Sequence, residues 1–196
     1  MPSKLTKAEQ TRRTRRAILD RARSLFAAQG YAATGTEELI HELGLTRGAL
    51  YHQFGDKLGV FRAVIEEVYG EITSHINARV MQVEDPWEQL VLGCKAFLEI
   101  AQREELRRLI YIEAPAVLAA DTLAEFDQPG FSLLLASIQG LHATGQLNTP
   151  HAEGFAHSIN GALNELAAWV AQSSESDRLQ IAQSLVETLL APHRVQ

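Results

Sequence analysis

Residues 34–57, TGTEELIHELGLTRGALYHQFGDK, constrain this chain more than any other part of it. Thr34 and Glu37 have the spacing of a capping box, so a helix is expected to begin near residue 35. Leu39, Ile40 and Leu43 fall on its buried face, and Gly44 ends it. Thr46 is placed to cap a second short helix that runs to about Phe54, with Leu45, Leu50 and Phe54 turned inward. Gly55 and Asp56 then break the chain and cap a further helix from Lys57. The second short helix carries Thr46, Arg47, Tyr51 and His52 on a scaffold of Gly48, Ala49 and Leu50. That is the layout of a helix-turn-helix whose second helix enters a DNA major groove.

The flanking sequence has a helical period throughout. Ile18, Ala22, Leu25 and Phe26 share a face of a helix over 11–29, closed by Gly30. Val60, Phe61, Val64, Val68, Ile72 and Ile76 keep register from Lys57 to about Val83. Pro86 suits a first helical turn behind Asp85, and Trp87, Leu90, Val91, Cys94, Phe97, Leu98 and Ala101 continue one apolar face. A shorter helix is expected at roughly 104–112, then irregular chain over 113–128 around Pro115. Asp127 and Pro129 are expected to open a helix carrying Phe131, Leu134, Leu135, Ile138 and Leu141, closed by Gly145. Thr149 and Pro150 open another, to about Gln172. Ser174 and Asp177 cap a last one that ends at Pro192. With no strand-like alternation of useful length, the expected fold is all-α, about nine helices.

Charge divides the chain. Residues 1–62 hold 11 Lys/Arg against 6 Asp/Glu, a balance of +5, whereas residues 63–196 hold 7 against 18, a balance of −11. A basic first part suits phosphates and an acidic second part suits solvent or another ligand. Lys4, Lys7, Arg12, Arg13, Arg15 and Arg16 read as a basic arm over residues 1–14 and just beyond, beside the DNA backbone or in the minor groove. No apolar run reaches 18 residues and the first residues lack an apolar signal core, so neither a membrane partner nor secretion is expected. Cys94 is the only cysteine, which excludes a disulfide framework and fits a cytoplasmic location. No metal or other cofactor is expected, and no set of acid, base and nucleophile suggests an enzyme. Cys94 reads as a small core side chain.

The segment GYAATGTEELIHELGLTRGALYHQFGDKLGVF resembles the DNA-binding domain of the TetR (tetracycline repressor) family. The resemblance covers about residues 12–75, a third of the chain. The sequence departs from the family pattern at Gly35, where Ser or Thr is common, at Ile40 and Leu43, where small alanines are usual, and at Gly59, where an acidic residue is usual. The resemblance implies roles. Thr36 would donate to a phosphate. Thr46, Arg47 and Gly48 open the recognition helix, with Arg47 reading a base edge, ideally guanine O6 and N7. Gly48 permits close approach, Ala49 touches a thymine methyl, and Tyr51 and His52 reach phosphates. Lys57 opposes the helix dipole in a first turn, a conflict that a bound phosphate removes.

These readings converge on a three-helix DNA-binding domain over 1–56 and a ligand-binding and dimerisation domain over 57–196. The expected function is a homodimeric, ligand-responsive repressor on a palindromic double-stranded operator. The alternative within regulators is an activator or an effector-independent protein. A helical enzyme with an appended DNA-binding domain lacks catalytic residues, and a nucleoid protein would not carry an acidic second part. A small apolar or aromatic effector is expected among Trp87, Val91, Cys94, Phe97, Leu109, Phe131, Leu135 and Ile138, with Tyr111, Gln139, His142 and Asn160 supplying polar contacts. A dimer face is expected from Phe155, Ile159, Leu163, Leu166 and Val170 on one helix and Leu179, Ala182, Val186 and Leu189 on the next.

Overall fold

The computed structural model describes residues 6–172 and 177–195, and its architecture is all-helical. Nine helices follow one another among the described residues. They are α1 (Lys7–Gln29), α2 (Thr36–Ile40, extended by a 3-10 turn, His41–Leu43), α3 (Arg47–Phe54), α4 (Lys57–Val80) and α5 (Pro86–Ile100). Then come α6 (104–117), α7 (Ala120–Ala143), α8 (Ala152–Ala171) and α9 (Arg178–Leu190). Helix α6 is itself composite: α-helical turns Glu104–Arg107 and Ala114–Val117 flank a π-helical stretch, Arg108–Glu113. The chain forms two compact units. The first contains the described residues through Glu67 together with Arg108–Leu118. The second contains Val68–Arg107 and the described residues from Ala119 onward.

The first unit is built on an aromatic and aliphatic core. Ile18, Leu19, Ala22 and Phe26 of α1 are buried with Leu39 and Ile40 of α2, Leu50 of α3 and Val60, Phe61 and Val64 of α4. Phe26 and Phe61 meet edge to face at 5.1 Å, and Tyr31 lies 5.0 Å from Phe61, a favourable geometry for ring quadrupoles. Gly44 makes the turn of the motif with φ 62°, a left-handed conformation that a β-carbon disfavours. The start of α2 differs by one residue from the capping box expected of Thr34 and Glu37. Thr34 is buried and donates its hydroxyl to the Gly30 carbonyl at 2.7 Å, while Gly35 is the N-cap and donates its N–H to Glu38 at 2.7 Å. The basic segment is not a free arm over its described length. From Lys7 onward it is the first turns of α1, capped by Thr6, whose hydroxyl oxygen accepts the Glu9 N–H. Arg12 and Arg13 are exposed there, Arg15 lies over the Phe54 ring, and Arg16 pairs with Asp20 and Glu67. Lys4 lies outside the described residues.

In the second unit α5 is central, with α7, α8 and α9 packed around it. Its inward face is the stripe seen in the sequence: Trp87, Leu90, Cys94 and Leu98 are buried. Residues 120–128 are helical, not irregular, and Pro129 sits inside α7 instead of opening it. The proline leaves one carbonyl of the ladder unpaired, but packing against α5 and α8 carries the helix through. The two stripes expected to face a second copy are mostly turned inward. Ile159, Leu163 and Val170 of α8 and Ala182 and Val186 of α9 are buried within the chain; Phe155, Leu166 and Leu179 are half-buried, and only Leu189 is exposed. Both helices have apolar residues on more than one face, and periodicity alone does not tell which face stays inside. The capping box expected of Ser174 with Asp177 falls partly outside the described residues.

Candidate nucleic-acid interface and effector cavity

Helix α3 presents an exposed face on a fixed base. Leu50 is fully buried and anchors the helix, while Arg47, Gly48, Tyr51 and His52 are exposed and Ala49 is half-buried. Thr46 is the N-cap; its hydroxyl oxygen accepts the Ala49 N–H at 3.3 Å, which leaves the hydroxyl proton free to donate outward. Thr36 stands at the first position of α2, half-buried. Arg47 is held by its Nε against the Glu37 carboxylate, with both side chains largely exposed. Such an exposed pair is worth roughly 0–1 kcal/mol, so a base or phosphate can displace it. Glu37 is also an anion where phosphates are expected. Glu37→Gln is therefore expected to tighten binding to an operator selected from random duplexes by about two- to fivefold, the equivalent of one exposed pair. Fluorescence anisotropy at fixed salt measures this, and an unchanged or weaker affinity would show that Glu37 does not compete for Arg47.

Lys57 resolves its conflict with the helix dipole differently from the sequence expectation. Its ammonium donates to the carbonyls of Tyr31 at 2.9 Å and Thr34 at 3.0 Å, and lies 4.1 Å from the Tyr31 ring centre. It thus ties the loop between α1 and α2 to the start of α4, and one N–H remains for another acceptor. The same loop is held from the other side. The Tyr31 N–H donates to Glu113 at 2.8 Å, and Arg108 donates to the Ala28 carbonyl at 2.8 Å while pairing with Glu113. The π-helical stretch carries both of these side chains.

The second unit contains a partly open cavity of ≈ 260 Å³. Its walls are the second half of α4 (Tyr69, Ile72, Thr73, Ile76, Asn77, Val80), then Leu90, Gly93, Cys94 and Phe97 of α5, Asp127, Gly130, Leu133, Leu134 and Ser137 of α7, and Asn160 and Leu163 of α8, with Met81 and Gln89 at the margin. Burial pushes the Cys94 thiol up to about 12, so it stays a protonated apolar wall element. Burial, then the nearby Asp127 carboxylate, push the Tyr69 phenol up to about 12, so it remains a hydrogen-bond donor.

The model of the domain described as "Bacterial regulatory proteins, tetR family" matches residues 18–64, and that of the "Tetracyclin repressor-like, C-terminal domain" matches residues 87–192. A solved TetR-family transcriptional regulator from Pectobacterium atrosepticum is 32% identical, with 98% of this chain and 99% of that one covered and a TM-score of 0.83. The chain belongs to the TetR family of transcriptional regulators. It is a helix-turn-helix DNA-binding protein and not an enzyme. The regulator AcrR of Shigella flexneri is 34% identical over 105 residues, 52% of this chain and 48% of that protein, so the chain spans about half the length of this curated relative. The Bacillus subtilis regulator FadR, solved with stearoyl-CoA, shares the fold at 18% identity, with 90% of this chain and 97% of that one covered and a TM-score of 0.75.

Against the TetR pattern, the departure at Gly59 has a steric cause. A β-carbon there would stand 1.8 Å from the Phe54 carbonyl oxygen, so the turn from α3 into α4 closes on a bare α-carbon. Asp56 accepts the Gly59 N–H at 2.7 Å and caps the same turn. Of the residues expected at the effector, the cavity gathers Cys94, Phe97 and Asn160. Trp87 and Val91 line a separate depression with Lys95, Glu187 and Arg194. Leu109 and Tyr111 belong to the first unit, and Phe131 stacks on His157 at 4.6 Å. Ile138 is core, Leu135 is half-buried, and Gln139 and His142 are exposed. The cavity stripe of α7 is instead Asp127, Gly130, Leu134 and Ser137, whose smaller and more polar side chains leave the space open. The contribution of α4 had no sequence signal beyond its apolar period.

Among the described residues, no helix is long and apolar enough to cross a membrane.

Proposed function

We propose that the protein is a homodimeric repressor, holding a palindromic operator with the α3 helix of each copy and released when a small molecule enters the second-unit cavity. The observation that carries this reading is the continuity of α4. One helix begins at Lys57, which ties down the loop before α2, and supplies the cavity wall from Tyr69 to Val80. A ligand that prefers one placement of the second half of α4 therefore expresses a preference for the first half, and a coupling of ~1–3 kcal/mol changes operator affinity by about 5–150-fold. The same arrangement would serve a ligand-requiring activator, for which the sign of the coupling is reversed. Anisotropy of labelled operator against a panel of small apolar and aromatic compounds tests the reading. Loss of DNA binding supports it, a gain favours the activator, and no response from any compound that binds the protein would remove its basis.

Dimerisation is supported by an exposed apolar stripe on α9. Ile181, Leu185 and Leu189 recur every fourth residue and are 45%, 43% and 44% exposed. On α8, Gly154, Ser158 and Gly161 are exposed and small enough for close helix approach. Two copies of α8 and α9 would form a four-helix bundle across a two-fold axis. Leu185→Arg is expected to give a monomer by light scattering at micromolar concentration, with operator affinity falling as half-sites are read singly. An unmodified protein that is itself monomeric there would overturn the proposal. Leu163 is unsuitable for this test, because it lines the cavity and is 5% exposed.

A further inference from the structure

We propose that the effector is an organic cation: a protonated amine on a compact apolar or aromatic body, its nitrogen seated at the Asp127 carboxylate. The inference rests on the reading of the second-unit cavity as the effector site, and it names the chemistry that site selects.

The cavity wall is apolar on most sides, with Ile72 and Ile76 of α4, Phe97 of α5 and Leu134 of α7 as its larger members. Into this wall α7 sets a carboxylate, Asp127, and among the described residues the lining contains neither lysine nor arginine. Asp127 is half-buried, and desolvation raises its pKa from the ordinary aspartate value; a hydrogen bond with the Asn160 side chain works the other way, and among the described residues no cationic side chain offsets the burial. A carboxylate in such a place lacks a counter-charge, and burial of an unpaired charge is unfavourable. An incoming ammonium supplies the missing partner, and the Thr73 hydroxyl, which lies with the Asp127 carboxylate against Gly130, offers an acceptor to another of its N–H groups. A neutral ligand of the same shape would bury the carboxylate further without pairing it. A carboxylate ligand would add a like charge with no arginine or lysine to meet it. The volume of ≈ 260 Å³ lies just under the usual range of roughly 300–1,000 Å³ for small-molecule sites, so the body is small.

The test uses three probes with one skeleton: phenylbutylamine, phenylbutanol and phenylbutyrate. Each is titrated calorimetrically into the full-length protein and into Asp127→Asn, which keeps shape and removes charge. The amine is expected to bind the unmodified protein at least about tenfold more tightly than the alcohol, the scale of one charge-assisted hydrogen bond. Phenylbutyrate is expected to be the weakest, and Asp127→Asn should abolish the preference for the amine, with the alcohol bound at least as tightly as by the unmodified protein. Equal binding of amine and alcohol to the unmodified protein, a requirement that no variant is needed to check, would overturn the proposal, as would a preference that survives Asp127→Asn or no binding at all. The same probes are then titrated against the protein–operator complex. Selective amine binding that leaves operator affinity unchanged keeps the cation site and removes the effector role. Release by the alcohol or the acid and not by the amine keeps the effector role and removes the cation.

Discussion

Gly59→Ala is expected to destabilise the DNA-binding unit by about 1–3 kcal/mol, the usual effect of forcing atoms into a filled space. Two effects oppose each other. Alanine inside a helix is favoured over glycine by roughly 1 kcal/mol. Against that, the new methyl would overlap the Phe54 carbonyl at 1.8 Å, and the atom it meets is backbone, which has no rotamer to escape into. The turn must open, and α3 and α4 must part at the point where the recognition helix is fixed. The clash is therefore expected to prevail over helix propensity. Gly59→Glu, which restores the residue usual in the family, should be no better; here a family-consensus change, ordinarily a route to stability, is expected to fail. Thermal unfolding followed by circular dichroism measures the effect, with a midpoint several degrees lower expected for a chain of this size. A midpoint that stays or rises would mean that the turn relaxes without strain.

Arg47→Ala is expected to reduce operator affinity by about 1–3 kcal/mol and to relax sequence preference at one position in each half-site. The fold should be untouched, since Arg47 is exposed and its only described partner is the equally exposed Glu37. Lys57→Ala supplies the contrast. Its ammonium serves two carbonyls in the first unit, so its loss should lower the unfolding midpoint as well as DNA affinity. Selection of sites from random duplexes with each variant separates the two: relaxed specificity for Arg47→Ala, and uniformly weaker binding for Lys57→Ala. An Arg47→Ala protein that keeps both its affinity and its preference would show that another side chain of α3 reads the base.

The helix-turn-helix was legible in the sequence because its signals are local. Gly44, Thr46 and Asp56 each act on backbone groups within four residues, and α3 and the start of α4 fall where these residues place them. What depends on distant partners was not legible. Thr34 could cap α2 or bond back to Gly30, and the buried turn around it decides for the latter. Pro129 reads as a helix opener, yet α7 passes through it, held by its contacts with α5 and α8. The apolar period points to Phe131, Leu135 and Ile138, the more apolar stripe of α7, as the cavity wall. Large apolar side chains fill space, however, and the opening lies along Asp127, Gly130, Leu134 and Ser137. The apolar period also could not say that Ile72 and Ile76 face a void and not a neighbour.

The π-helical stretch has a consequence for how this chain comes into being. Arg108 and Glu113 belong to the same compact unit as the helix-turn-helix, and they bond to Ala28 and Tyr31, some 80 residues earlier in the chain. The DNA-reading head is therefore unfinished when its own three helices have left the ribosome. Its last braces arrive only after α5 and the first part of α6 have been synthesised. Long-range closure of this kind is slower than local helix formation. For chimaeras, a junction placed just after the helix-turn-helix would leave Tyr31 without its acceptor; a transplant that respects this head must carry two pieces of sequence instead of one.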